Sequence, residues 1–129
     1  MVQLHFNETV VQTAEIATEL KKSGIKTIKA VANESEIEAL CQKDIDAILV
    51  DSRTSENAAT NIQAIDADLF NRIKLLSSKP LIIAGGIIPE NVCDFVTQTG
   101  ADWIDVMTGV ECSSGIKDRT KIESPVGIR

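Results

Sequence analysis

Short apolar runs alternate along this chain with longer stretches in which apolar residues recur every three to four positions. The first pattern predicts buried strands and the second predicts helices. The predicted strands are Val2–His5, Ile25–Val31, Ala47–Val50, Leu81–Ala84 and Trp103–Met107. The predicted helices are Glu8–Lys22, a short one through Ile37 and Leu40 that Asn33 or Ser35 caps, Ile65–Leu76, and one between Pro89 and Gly100. Beyond the last strand, only a weak helical stretch around Lys121 is predicted.

Regular alternation of strands and helices is typical of parallel sheets with right-handed crossovers. Such a sheet is either open and doubly wound or closed into a barrel. A complete (β/α)₈ barrel needs roughly 200–250 residues or more. The 129 residues of this chain could supply about five of the eight units of such a barrel.

Charge and cysteine content narrow the classes of partner. The net charge of −6 and the pI of about 4.7 argue against nucleic acid, whose phosphates need basic surfaces. Three widely spaced cysteines without a C-x-x-C pair predict neither a metal site nor a disulfide framework. No apolar stretch approaches the ~20 residues that span a membrane, and no signal peptide is recognisable. We therefore expect a cytoplasmic protein.

The segment Ala84-Gly85-Gly86, followed by Pro89-Glu90-Asn91, is the first candidate for chemistry. A buried strand ends in two glycines, which let a ligand approach the backbone closely. The start of the following helix offers unpaired N–H groups and a positive dipole end. This pattern predicts a phosphate-binding loop. The alternative is a tight turn that needs glycine only for its shape.

A second strand-to-glycine segment lies in the next unit, at Asp105–Glu111. Loops that follow the last two strands of such barrels commonly form one phosphate site. Thr108 would add a hydroxyl group, and Gly109 would add a backbone donor. The two segments together favour a phosphate site formed by Gly85, Gly86, Thr108 and Gly109.

These segments also carry a family resemblance. The stretches AGGIIPENV, ADWIDVMTGVE and SSGIKDRTKI resemble the C-terminal part of phosphoribosylanthranilate isomerase. Upstream, Val2-Gln3-Leu4-His5 is similar to the fourth-strand motif of that family, and Ile48-Leu49-Val50-Asp51-Ser52 to its sixth. The resemblance implies an α/β fold, a partial (β/α)₈ TIM barrel in which residues 1–129 form one domain.

The resemblance also implies an activity in tryptophan biosynthesis. The family converts N-(5-phosphoribosyl)anthranilate, an aminoaldose, to a 1-deoxyribulose phosphate by an Amadori rearrangement, without a cofactor. It implies that Asp51 is the general acid, at the end of its strand, and that His5 and Asp105 face the anthranilate end of the substrate. Outside the resemblance, Asp51 could be a strand-terminating carboxylate and His5 a structural residue. Three further family residues, expected to shape the last loop, are Glu111, Lys117 and Asp118.

The sequence departs from the family at several points. The family's general base is a cysteine in a Lys-Ile-Cys-Gly motif, which the 129 residues do not contain. Phe6 replaces a glycine, and the stretch Arg53–Thr60, in a predicted loop at Ser52–Asn61, lacks the glycines of the family's closing loop. Cys41 and Cys93 are predicted to be buried within helices, and Cys112 to follow the phosphate loop. We therefore expect little or no turnover by the isolated chain.

Three hypotheses remain open at this point. The chain could be an isomerase, either as a reduced member of the family or with a partner that supplies the missing units. It could be a non-catalytic module that keeps only the binding of a small phosphorylated ligand. It could also be a truncated product that folds poorly alone. Open sheet edges favour self-association or a completing partner.

Overall fold

Five parallel strands in chain order form the sheet at the centre of the molecule. The computed structural model describes residues 1–5, 7–51 and 67–126, with the side chains of all but the last three. The strands are β1 (Val2–Leu4), β2 (Thr27–Val31), β3 (Ala47–Asp51), β4 (Leu81–Ala84) and β5 (Trp103–Asp105). The predicted α/β fold with about five parallel strands is confirmed, although β5 is shorter than the pattern predicts.

Helices connect the successive strands. They are α1 (Val10–Lys22), α2 (Ile37–Cys41), α3 (Ala67–Leu76), α4 (Val92–Thr99) and α5 (Arg119–Val126), the last of which follows the sheet. Thr9 and Gln12 form a capping box at the start of α1, and Gly100 ends α4 in the left-handed conformation. The predicted loop at 52–61, the predicted start of α3 near Ile65 and the Phe6 substitution lie outside the described residues.

The predicted cap of α2 is wrong. The carboxamide oxygen of Asn33 accepts hydrogen bonds from the backbone N–H and the hydroxyl of Ser35, and so forms a turn ahead of the helix. Glu36 occupies the N-cap position and makes no capping bond through its side chain. An Asn side chain that bonds two residues ahead stabilises a turn in place of a helix start. The helix therefore begins at Ile37, and is only five residues long.

The central strands β2 to β4 are buried on both faces by different sets of side chains. Ile48, Val50 and Ile83 belong to the cluster that packs with the helices. On the opposite face, which we call the inner face, the apolar cluster consists of Ile28, Ala47, Leu49, Ile82 and Ala84. Because successive residues of a strand point to opposite sides, burial on both faces explains why the strands read as continuous apolar runs.

A small antiparallel hairpin follows the sheet and is absent from the sequence prediction. After β5 comes a 3-10 turn at Thr108–Val110, then β6 (Glu111–Ser113) and β7 (Ile116–Lys117), which pair with each other. The helix α5 then occupies the region where a weak helical stretch was predicted. Among the described residues, every helix is too short or too polar to span a bilayer.

Candidate active site

A cavity of about 410 Å³ lies at the carboxyl ends of β1, β3, β4 and β5. Side chains and backbone from these strand ends and the loops after them form its walls. All seven residues predicted from the sequence line it, namely His5, Asp51, Gly85, Gly86, Asp105, Thr108 and Gly109. Residues more than a hundred positions apart along the chain are therefore brought together at one end of the sheet, where enzymes with parallel barrels place their catalytic groups.

Asp51 is the last residue of β3 and is buried. In the parallel register it lies beside Ala84 of β4, and Ala84 lies beside Asp105 of β5. Neighbours in register project to the same face of a sheet, so both carboxyl groups face the cavity from the inner face. A carboxyl group in this position can give a proton to a bound molecule or take one from it.

The side of the cavity formed by β1 carries two polar side chains. His5 follows the strand directly, and the carboxamide nitrogen of Gln3 lies 3.3 Å from Nδ1 of its ring. Residues two apart on a strand share a face, which is why Gln3 also lines the cavity. Gln3 was not among the predicted site residues, although its spacing from His5 could have indicated it.

The first glycine loop has an unusual backbone. Gly85 and Gly86 have φ angles of +88° and +66°, a conformation that glycine adopts without steric cost. Asn91 fastens this loop, because its amide nitrogen donates to the carbonyl oxygen of Gly86 at 2.9 Å and its oxygen accepts from Ile88 N–H at 2.8 Å. The sequence placed Asn91 only at the helix start, whereas the structure shows that its side chain determines the shape of the loop.

The second glycine loop packs directly against the first. A Cβ atom at Gly109 would overlap the carbonyl oxygen of Ile87. Only a residue without a side chain allows the 3-10 turn to approach the first loop this closely. The two loops that were predicted as neighbours therefore form one continuous wall. Helix α4 begins behind this wall at Val92, later than the Pro89 start that the sequence suggests.

Lys117 reaches the cavity from the hairpin. Its Nζ atom donates to the carbonyl oxygen of Met107 at 2.7 Å and to Oε1 of Glu111 at 2.8 Å. The hydrogen bond from Lys117, together with one from Gly115 N–H, holds the pKa of the Glu111 carboxyl below its ordinary value. Among the described residues that line the cavity, Lys117 is the only lysine or arginine.

The cavity lining combines two carboxyl groups, an imidazole, a hydroxyl and an ammonium group with the backbone of the two glycine loops. In the described segments, no three His, Cys, Asp or Glu side chains form a group that could hold a metal ion. Cys41 and Cys93 are only partly buried, which corrects the prediction of buried cysteines, and Cys112 is exposed on β6. None of the described lining residues is a cysteine.

A family model, curated relatives and several solved structures identify a family to which the chain is similar. A family model described as N-(5'-phosphoribosyl)anthranilate (PRA) isomerase matches residues 1–127. The curated isomerase of Acinetobacter calcoaceticus is 34% identical over 126 residues, which are 95% of this chain and 57% of that protein. The solved isomerase of Thermotoga maritima is 30% identical with a TM-score of 0.75, over 96% of this chain and 58% of that one.

A third relative was solved with a ligand. It is a phosphoribosyl anthranilate isomerase in complex with reduced 1-(o-carboxyphenylamino)-1-deoxyribulose 5-phosphate. That structure is 29% identical, has a TM-score of 0.68, and is matched over 95% of this chain and 55% of its own. The chain thus spans somewhat under two thirds of the length of each of these three proteins.

Proposed function

Since the chain belongs to the N-(5'-phosphoribosyl)anthranilate isomerase family, we propose that its cavity binds N-(5-phosphoribosyl)anthranilate and serves the Amadori rearrangement of that substrate in tryptophan biosynthesis. The observation that carries the proposal is the convergence of Asp51 and the two glycine loops on one cavity. A role in amino-acid biosynthesis implies a cytoplasmic location.

The phosphate group would lie against the two glycine loops. Gly85 and Gly86 line the cavity there, and Thr108 adds a hydroxyl donor at the start of the 3-10 turn. Backbone N–H groups in turns and at helix starts bind phosphate without requiring a basic surface. This mode of binding is compatible with the chain's net charge of −6.

Asp51 would act as the general acid. Opening of the ribose ring requires a proton on the ring oxygen, and a buried carboxyl group at a strand end can supply it. His5, oriented by Gln3, and Asp105 would contact the anthranilate end of the substrate. The ligand bound to the third relative has a phosphate at one end and a carboxyphenylamino group at the other, so a molecule of this kind would contact the glycine loops and the His5 side of the cavity at the same time.

Completion of the site is a separate part of the proposal. After ring opening, a general base must remove the proton on C2, and the family's Lys-Ile-Cys-Gly motif does not occur in the 129 residues. We propose that the two edge strands, β1 and β5, pair with further βα units from a partner or a second copy. A second copy has the same sequence and lacks the motif as well, so that base would come from the units of a partner.

A non-catalytic binding module is the second candidate function. The observation that favours it is the lack of the base motif in a chain that keeps both glycine loops. Such a module would bind the phosphorylated ligand and leave it unchanged, whichever units were added to it.

The test combines binding with turnover. Calorimetry should show that the chain binds reduced 1-(o-carboxyphenylamino)-1-deoxyribulose 5-phosphate. Turnover should be close to zero for the chain alone, because general-base catalysis is typically worth about 10²–10⁴-fold. It should appear when a fragment holding the first three βα units of a family member is added, and Asp51→Asn should abolish it.

Three outcomes would each contradict a part of this proposal. Binding without turnover, even with the added fragment, would favour the non-catalytic module. Rapid turnover that Asp51→Asn leaves unchanged would place the general acid elsewhere. Rapid turnover by the chain alone would instead overturn the assignment of the base to added units.

A further inference from the structure

We propose that Lys117 is a positioning residue, which holds the 3-10 turn Thr108–Val110 in the shape that receives the phosphate group. The inference rests on the proposed function, because the turn is one wall of the proposed phosphate site. Lys117 lies on β7, outside the strand ends where the family resemblance places substrate contacts.

The ammonium group of Lys117 joins the two ends of this turn. Met107, whose carbonyl oxygen accepts at 2.7 Å, directly precedes the turn. Glu111, whose Oε1 accepts at 2.8 Å, directly follows it. One charged group therefore fixes the distance between the residues on either side of the three-residue turn. Hydrogen bonds to a charged donor are worth about twice as much as neutral ones.

Three more hydrogen bonds tie the end of the turn to the hairpin and α5. Oε2 of Glu111 accepts from Gly115 N–H at 3.2 Å, and the carbonyl oxygen of Glu111 accepts from Nζ of Lys121 at 2.8 Å. Asp118 N–H donates to the carbonyl oxygen of Val110 at 2.7 Å. The hairpin thus acts as a brace for the turn, and Lys117 is the part of it that faces the cavity.

The turn needs such a brace for two reasons. A 3-10 turn has poorer hydrogen-bond geometry than an α-helix, so it gains little stability of its own. Its central residue, Gly109, must also stay against the carbonyl oxygen of Ile87, where no Cβ atom fits. A small displacement of Met107 or Glu111 would separate the two glycine loops and enlarge the site.

A direct contact between Lys117 and the phosphate group is the competing interpretation. The side chain of Lys117 is 43% exposed, whereas that of Glu111 is 13% exposed. Two of the three ammonium protons already bind the protein. The two interpretations predict opposite effects of Glu111→Gln. If Lys117 acts through the turn, losing the carboxylate weakens phosphate binding. If Lys117 binds phosphate directly, losing the competing carboxylate strengthens it.

The experiment compares K117Q, K117R and E111Q with K22Q, a control whose lysine forms an exposed ion pair with Glu19 on α1. The first readout is amide hydrogen exchange, without ligand, at Glu111 and Asp118, whose N–H groups donate to the carbonyl oxygens of Thr108 and Val110. The second is the Kd for inorganic phosphate. We expect K117Q and E111Q to raise exchange and Kd by about tenfold, the factor that corresponds to one charge-assisted hydrogen bond. K117R keeps the charge and the hydrogen-bond donors, so its exchange rates and its Kd should stay close to those of the wild type. K22Q should change neither the exchange rates nor the Kd.

Each outcome decides the proposal. Unchanged exchange in E111Q, or tighter phosphate binding by it, would overturn the positioning role. If K117Q fails to fold, as seen by circular dichroism, the E111Q and K117R results decide. If the wild-type chain does not bind phosphate, the proposed function fails, whereas the exchange data still show whether Lys117 holds the turn.

Discussion

A nearly buried ion pair lies behind the site. The ammonium group of Lys29, on β2, is 2.7 Å from Oε2 of Glu8, and the two side chains are 4% and 18% exposed. Lys29 is in register with Leu4 and Ile48, so it points away from the inner face. Glu8 lies just before α1, in the connection that follows His5. The pair therefore holds the connection that follows His5 against the sheet.

Removal of Glu8 and removal of Lys29 should lower the free energy of unfolding by different amounts. Glu8→Gln takes a carboxylate from an ammonium group that is almost fully buried, so we expect a loss of about 3 kcal/mol in the free energy of unfolding. Lys29→Met leaves the aliphatic packing in place and leaves a carboxylate that water can reach, so the loss should be clearly smaller. Urea unfolding measures both. Equal losses, or a larger one for Lys29→Met, would contradict this account.

Acid should weaken the hairpin only at pH values below the ordinary pKa of a glutamate side chain. The folded-state pKa of Glu111 is lowered from 4.5, first by the hydrogen bond from Lys117. A lowered folded-state pKa means that the stabilisation is present above about pH 4.5 and is lost as the pH falls through the folded-state value. NMR titration of the Glu111 carboxyl should give a midpoint below 4.5 in the wild type. K117Q should raise that midpoint, and an unchanged midpoint would be evidence against the hydrogen bond between Lys117 and Glu111.

At the level of single residues, the sequence predicts those site positions that depend on local structure. The glycines follow from the strand ends, since parallel strands bring their carboxyl ends together, whereas Asp51 and Asp105 were predicted through the family resemblance. Lys117 and Lys29 owe their roles to partners in other elements. Local spacing contains no information about such partners, so pattern reasoning identifies Lys29 only as a charged residue, and it is the family resemblance that associates Lys117 with the last loop.

At the level of elements, predictability depends on how deeply each element is buried. The strands β2 to β4 are covered on both faces, so their continuous apolar runs are unambiguous. The strands β6 and β7 have three and two residues and are mostly exposed. Hydrogen bonds and side-chain pairs define that hairpin, and apolar periodicity contributes nothing to it. The short helix α2 was recognised, but a turn at Asn33 replaces its predicted cap.

The first glycine loop can be tested as an element. Gly86→Val should abolish phosphate binding, because it puts a bulky side chain on a left-handed backbone at the cavity wall. Gly24→Val is the matched control, since Gly24 has a φ of +70° and nothing within 4 Å of a Cβ atom. Both variants should lose stability through backbone strain, of about 1–2 kcal/mol. Calorimetric titration should show that only Gly86→Val loses phosphate. Unchanged binding would place the phosphate site elsewhere.

At the level of the whole molecule, β1 and β5 lie at the two edges of the sheet, and no strand of the described residues pairs with the outer side of either. Trp103 and Ile104, on the edge strand β5, are 50% and 37% exposed. Unpaired backbone groups beside exposed apolar side chains favour pairing with another strand. This is the physical basis for the proposed association of the chain with a second copy or with added βα units.

Association should therefore depend on the edge rather than on surface hydrophobicity in general. Light scattering should show a mass that rises with concentration, and Ile104→Lys should reduce that rise, because a charged edge residue opposes strand pairing. Leu75→Lys, at a helix position that is 88% exposed, is the control and should have no effect. A monomer at high concentration, or an equal effect of both variants, would refute edge pairing.

The position of Trp103 makes its fluorescence a signal for whether a further strand has paired with β5. It is the only tryptophan in a chain without tyrosine, so the ultraviolet emission of the protein comes almost entirely from this indole ring. Trp103 lies on the strand that would meet the next unit, two residues before Asp105 of the cavity. A strand laid along β5 would remove water from the half-exposed ring, and its emission would move to shorter wavelength. Assembly could thus be followed in real time, in unlabelled protein, at the edge where it takes place.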